Sequence, residues 1–122
     1  MNCLSFDVGG TTVKYGVIDE SYKILKKDKI PTPENENDFI YSLSNIIQEN
    51  LSIISKVSVA MPGYVNSANN KYLYGPHLKY DIDFSKLSNF TDYKFHLDND
   101  GNVAAYCEYF LNYKTKNSNL II

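Results

Sequence analysis

Two runs of β-forming residues, 3–8 and 13–18, stand four residues apart, and two of those four are glycines. The stretch "CLSFDVGGTTVKYGVI" leaves so short a link that it favours antiparallel neighbours joined by a tight turn. A third run, 23–30, follows through Asp19-Glu20-Ser21, a link just as short. Three hairpin-linked strands at the start of the chain set the plan against which everything later must pack.

Pro31 and Pro33 close the third strand, and the polar residues 34–37 lead into a helix. Its apolar residues Phe39, Ile40, Leu43, Ile46 and Ile47 fall on one helical stripe facing a core. Residues 57–61 read as a buried strand stopped by Pro62-Gly63, and 64–80, rich in Asn, Gly and Pro, as a hairpin or excursion with a loop. A short helix is expected over 84–90 and a strand over 94–97. A further helix is expected over 102–113, with Val103, Ala104, Cys107, Phe110 and Leu111 on one face, and residues 119–122 look like the start of another strand. An antiparallel start followed by alternating helices and strands predicts a mixed sheet with helices on its faces. That is an α/β domain of the ribonuclease H-like, or actin-like ATPase, plan. At 122 residues the chain fits one such domain and no second.

Three stretches could carry chemistry. Asp7 ends the first strand, and Gly9 and Gly10 allow backbone N–H groups to approach a ligand, while Thr11 and Thr12 add hydroxyls. Together they could line a polyphosphate, with Asp7 holding Mg²⁺ directly or through water, because Mg²⁺ keeps much of its hydration shell. The same residues also make an ordinary hairpin turn with an Asp beside it. Two other phosphate signatures, G-x-x-x-x-G-K-[ST] and G-x-G-x-x-G, are absent from the sequence.

In "LDNDGNVAAYCE" the side chains of Asp98, Asn99 and Asp100 sit where a strand gives way to a helix, the end of an α/β strand at which ligands bind. A carboxylate there could take the proton of a substrate hydroxyl attacking a phosphoryl group, and a neighbouring amide could orient that substrate. Helix capping by Asn99 or Asp100 is the structural alternative. A calcium loop does not fit, since Gly101 comes too early after Asp98 and position 109 is Tyr. In "VAMPGYVN", Pro62-Gly63 either opens space for a ligand beside bare backbone or simply ends a strand. His77 and His96 have no Ser or Cys motif to serve and read as structural.

Charge narrows the partners. All 12 basic residues are lysines and the net charge is −2, so the forked donors that dominate contacts to guanine and phosphate are missing, which argues against nucleic acid. No apolar run approaches the ~18 residues of a membrane span, and a cytoplasmic location is expected. Cys3 and Cys107 lack a metal-ligand spacing and read as buried, reduced thiols.

Taken in order, "FDVGGTTVKYGVID", "VAMPGYVN" and "LDNDGNVAAYCEYF" resemble the N-terminal half of the ROK family of sugar kinases (glucokinase, fructokinase and N-acetylhexosamine kinase among them) and related repressors. The resemblance implies an actin-like ATPase fold over residues 1–122 as an N-terminal lobe. It implies that Asp7, Gly9, Gly10, Thr11, Thr12 and Lys14 face the nucleotide phosphates, with Mg²⁺ at Asp7. It further implies that Asn99 and Asp100 hold the hexose, Asp100 as general base, and that Pro62 and Gly63 lie against the sugar. Glu108 matches an acidic position of no assigned role. Asp98 stands where Glu is usual, Gly101 where Ala is common, and His77 where an amide is frequent near the sugar. The family's second glycine-rich phosphate motif, adenosine pocket, remaining sugar ligands and zinc site would lie beyond Ile122, so zinc is not expected in this chain. The expected function is half of an ATP-dependent sugar kinase, inactive alone and prone to self-association or to pairing with a C-terminal lobe. Two alternatives are a non-catalytic, regulatory sugar-binding protein of the same family and a ribonuclease H-like nuclease with metals at Asp7 and Asp100.

Overall fold

In the computed structural model, which describes residues 2–99, β1 (Asn2–Val8) turns back into β2 (Thr12–Ile18), and β2 into β3 (Ile24–Pro31). Both pairings are antiparallel, as the short links require. The helix α1 (Glu36–Asn50) carries the chain back across the sheet to β4 (Ile54–Met61), which pairs parallel with β1. The last strand of this sheet, here β8 (Lys94–Asn99), pairs parallel with β4, and the order across the sheet is β3-β2-β1-β4-β8. The mixed sheet expected from the sequence is therefore present. Pro31 ends β3 at the sheet edge, the one place where a residue without an N–H leaves no ladder bond unmade.

Alternation along the strands gives the sheet two different faces. Leu4, Phe6 and Val8 of β1, Val13 and Val17 of β2, Val57, Val59 and Met61 of β4 and Leu97 of β8 are all buried. They form one core with Phe39, Leu43, Ile46 and Ile47, the stripe of α1 anticipated from its spacing. The N-terminus of α1 is capped by Asn35, whose Oδ1 accepts the Asp38 N–H at 2.8 Å.

Between β4 and β8 the chain makes the expected excursion, a small antiparallel sheet of β5 (Val65–Asn66), β6 (Lys71–Tyr72) and β7 (Ile82–Asp83). Tyr72, Leu78, Ile82 and Phe84 join it to the main core, and the Phe84 ring meets Phe39 edge-on at 5.7 Å between centroids. The helix expected over 84–90 is corrected to two single 3₁₀ turns, Phe84–Lys86 and Phe90–Asp92. Asn89 between them is left-handed, with φ 57°, which no continuous helix tolerates. The candidate base Asp100, the helix expected over 102–113 with Cys107 and Glu108, and the strand start at 119–122 lie outside the described residues. No helix among the described residues is long and apolar enough to cross a membrane.

Candidate functional site

Because β1, β4 and β8 run parallel, their carboxyl ends open at one edge of the sheet. Gly9, Pro62 and Asn99 therefore stand side by side there, although the chain separates them widely. In open α/β sheets this is the edge at which ligands bind. Three stretches that the sequence singled out separately thus belong to one place.

The hairpin tip is held firmly. Gly9 N–H donates to the Thr12 carbonyl at 2.9 Å, and Thr32, just past the end of β3, braces the tip twice. Its hydroxyl donates to the Gly9 carbonyl at 2.8 Å and its N–H to the Thr11 carbonyl at 2.9 Å. The Gly9 N–H is therefore taken up within the turn. Among the described residues the N–H groups of Gly10 and Thr11 have no such acceptor. Gly10 and Thr11 are exposed, while Thr12 opens β2 and is half-buried. Thr32 escaped the sequence reading because nothing near it in the chain points to the hairpin.

Asp7 lies on the face of the sheet opposite α1, half-buried, with Lys14 as its register partner on β2 and Ala60 on β4. Ala60 pairs in turn with Asp98. One row across the sheet thus reads Lys14, Asp7, Ala60, Asp98, with the backbones of the two aspartates about 10 Å apart, two strand spacings. Asp98 accepts the Asn99 N–H at 2.8 Å, and His96 Nε2 lies 3.9 Å from its Oδ2. Asn99 ends β8, exposed, opposite Met61.

Gly63 has a structural reason of its own, since a Cβ there would come within 3.3 Å of the Tyr72 ring. Gly10 likewise: a Cβ would stand 2.9 Å from the His77 carbonyl oxygen. Neither glycine has positive φ, so room and not backbone freedom requires them. His77 is exposed and lies against the hairpin tip through its backbone.

Among the described residues no group of three or more His, Cys, Asp and Glu could hold a metal ion. A single carboxylate, Asp7, fits a Mg²⁺ that keeps its waters and takes its remaining ligands from a nucleotide, and does not fit a dehydrated cage. An open recess of about 800 Å³ lies elsewhere, at the amino ends of the parallel strands. Cys3, Lys56, Ser58 and Lys94 are among its walls. Cys3 there is half-buried, less than expected, with its thiol pKa raised mainly by burial and its Sγ 3.6 Å from Ser5 Oγ.

The ROK family pattern matches residues 3–122. Glucokinase of Streptomyces coelicolor is 27% identical over 111 residues, covering 87% of this chain and 35% of that enzyme. N-acetylmannosamine kinase of Haemophilus influenzae is 28% identical over 127 residues, covering 99% of this chain and 42% of that enzyme. The chain therefore spans well under half the length of these relatives. Among solved structures, a ROK family glucokinase from Streptomyces griseus in complex with glucose and AMPPNP superposes with a TM-score of 0.75 at 23% identity, over 93% of this chain and 38% of that one. A ROK family transcriptional regulator, a homologue of the E. coli MLC protein, superposes at 0.70 with 19% identity, over 88% of this chain and 30% of that one. These likenesses give the fold, that of the actin-like ATPases.

Proposed function

The chain belongs to the ROK family, and from that premise we propose that it supplies the phosphate-facing hairpin and the sugar-facing turns of a cytoplasmic, ATP-dependent sugar kinase. The observation that carries this reading is the meeting of Gly9–Thr12, Pro62-Gly63 and Asn99 at one sheet edge. In it, the Gly10 and Thr11 N–H groups and the Thr11 and Thr12 hydroxyls face phosphate oxygens, and Lys14 adds positive charge beside Asp7. Asp7 would hold a Mg²⁺ through its waters, and that ion would supply charge neutralisation at the transferring group. Pro62 and Gly63 present bare backbone to the sugar, Asn99 orients it, and Asp100 takes the proton of the attacking hydroxyl as the bond from the γ-phosphorus to the bridging oxygen breaks.

The 122 residues supply one half of such a site, and the other half is expected from a complementary lobe. No hexose-dependent ADP release is expected from them alone; turnover abolished by Asp100→Asn would overturn this. Titration of the ¹⁵N-labelled chain tests the ligand assignments directly. Mg·AMPPNP is expected to shift the amide signals of Gly10 and Thr11, and glucose or N-acetylmannosamine those of Gly63 and Asn99. Asp7→Asn is expected to weaken the Mg²⁺-dependent part of nucleotide binding about 10-fold, roughly the share of one metal-held carboxylate. A folded chain in which neither ligand moves any of these signals would sink the proposal.

A regulatory sugar-binding role is the second reading, since the same fold serves the ROK transcriptional regulator. It predicts sugar shifts without nucleotide shifts. For a nuclease, β4 contributes Ala60 beside Asp7 and no carboxylate, and no cleavage of an RNA–DNA hybrid in Mn²⁺ is expected.

A further inference from the structure

The hairpin tip and the Pro62-Gly63 turn are joined through one side chain that belongs to neither. Tyr72, on β6, is completely buried. Its hydroxyl donates to the Leu78 carbonyl at 2.7 Å. A Cβ on Gly63 would stand 3.3 Å from its Cε1 and 3.5 Å from its hydroxyl, and one on Gly75 would stand 2.9 Å from that hydroxyl. The Leu78 carbonyl also accepts the Gly75 N–H at 3.0 Å, which closes the turn 75–78. Inside that turn His77 directs its carbonyl at Gly10, close enough that a Cβ there would meet it at 2.9 Å.

The contacts thus run from Gly63 to the Tyr72 ring, from its hydroxyl to Leu78, and from the adjoining His77 backbone to Gly10. Each step involves backbone or a buried ring pinned at its far end. No rotamer change relieves a displacement at any of them, so a shift at one end must be carried to the other or cost energy where it stops.

We propose that Tyr72 is a positioning residue that couples the Pro62-Gly63 turn to the Gly9–Thr12 hairpin tip, so that occupancy of one is felt at the other. Calling the two ends a sugar side and a nucleotide side rests on the function proposed above; the mechanical coupling does not. If both ligands bind as proposed, coupling is reciprocal: sugar raises nucleotide affinity by the same factor by which nucleotide raises sugar affinity, about 5-fold or more for typical couplings.

The test uses the ¹⁵N-labelled chain with Tyr72→Phe, which keeps the ring and removes only the hydroxyl. Without any ligand, the amide signals of Gly10 and Thr11 are expected to move together with those of Gly63 and Gly75. Changes confined to residues 63–78 would overturn the coupling. Gly10→Ala drives the same contacts from the opposite end and is expected to move Gly63 and Gly75. It decides the matter if Tyr72→Phe does not fold, and silence at both glycines would overturn the proposal. In the ligand arm, nucleotide affinity is measured with Mg·AMPPNP, with and without glucose, and the sugar effect seen in the parent is expected to fall below about 2-fold in Tyr72→Phe. Ligand binding with no loss of the sugar effect overturns the coupling and spares the kinase reading. Failure of both ligands to bind overturns the assignment of ligand contacts to these residues, and the ligand-free shifts then judge the coupling alone.

Discussion

Glu36 shows how a single charged side chain ties distant segments together. It opens α1, its Oε2 accepts the Asp83 N–H at 2.9 Å, and its Oε1 accepts from Lys86 Nζ at 3.0 Å. The Asp83 N–H first, and then Lys86, hold its carboxyl below its ordinary value. A depressed pKa means that the stabilisation is present above the unfolded value and is lost as pH falls through the folded one. Glu36→Gln is therefore expected to cost about 1 kcal/mol at pH 7, a surface-discounted charged hydrogen bond. The difference from the parent should narrow as pH falls below the ordinary glutamate range and vanish once the folded carboxyl is protonated, as read by urea unfolding at several pH values. Nothing local marked Glu36 beyond its place in the first turn of a helix. The glycines are the converse case. Gly9, Gly10 and Gly63 were visible as unusual, yet the atoms that demand them, the Thr12 carbonyl, the His77 carbonyl and the Tyr72 ring, were partly legible only for Gly9, whose partner lies three residues away.

At the scale of elements, α1 was the most legible. Of its expected stripe, Phe39, Leu43, Ile46 and Ile47 are buried and Ile40 is half-buried against the same core. Its start was legible as a polar stretch, and the structure assigns the cap to Asn35, whose Nδ2 also donates to Asp38 Oδ2 at 3.1 Å. Asn35→Ala is expected to lower the urea midpoint by the equivalent of about 1 kcal/mol, and Asn35→Ser, an uncharged cap, to restore most of it. The segment 84–90 departs from the expected helix for a physical reason. Asp83 caps the Ser85 N–H, Leu87 N–H closes one turn on the Phe84 carbonyl, and the Ser88 N–H is taken by Ser44 Oγ of α1. Tertiary hydrogen bonds thus replace those that a longer helix would have used, and local apolar spacing cannot register such competition.

At the scale of the whole molecule, the excursion is tied to the rest by buried aromatic rings. Tyr80 donates its hydroxyl to the Pro33 carbonyl at 2.6 Å, and burial foremost pushes both Tyr80 and Tyr93 up to about 12. A raised pKa places the sign opposite to that of Glu36: the stabilisation is whole below the unfolded value near 10 and is lost as pH rises through the folded one. Stability is therefore expected to decline between about pH 10 and 12. The late part of the tyrosine absorbance titration should rise together with loss of circular dichroism, and Tyr80→Phe should diminish that late part. The sequence by itself determined the three hairpin-linked strands, the helix with its buried stripe, the excursion and the three candidate stretches, because turns, periodicity and caps depend on residues a few positions apart. Only the tertiary structure decided that β1, β4 and β8 run parallel and bring those stretches to one edge, that Asp7 and Asp98 share a row across Ala60, and that Gly63 lies against the Tyr72 ring and Gly10 against the His77 backbone. Those relations rest on strand register and close packing between segments far apart in the chain, which no local pattern of residue types encodes.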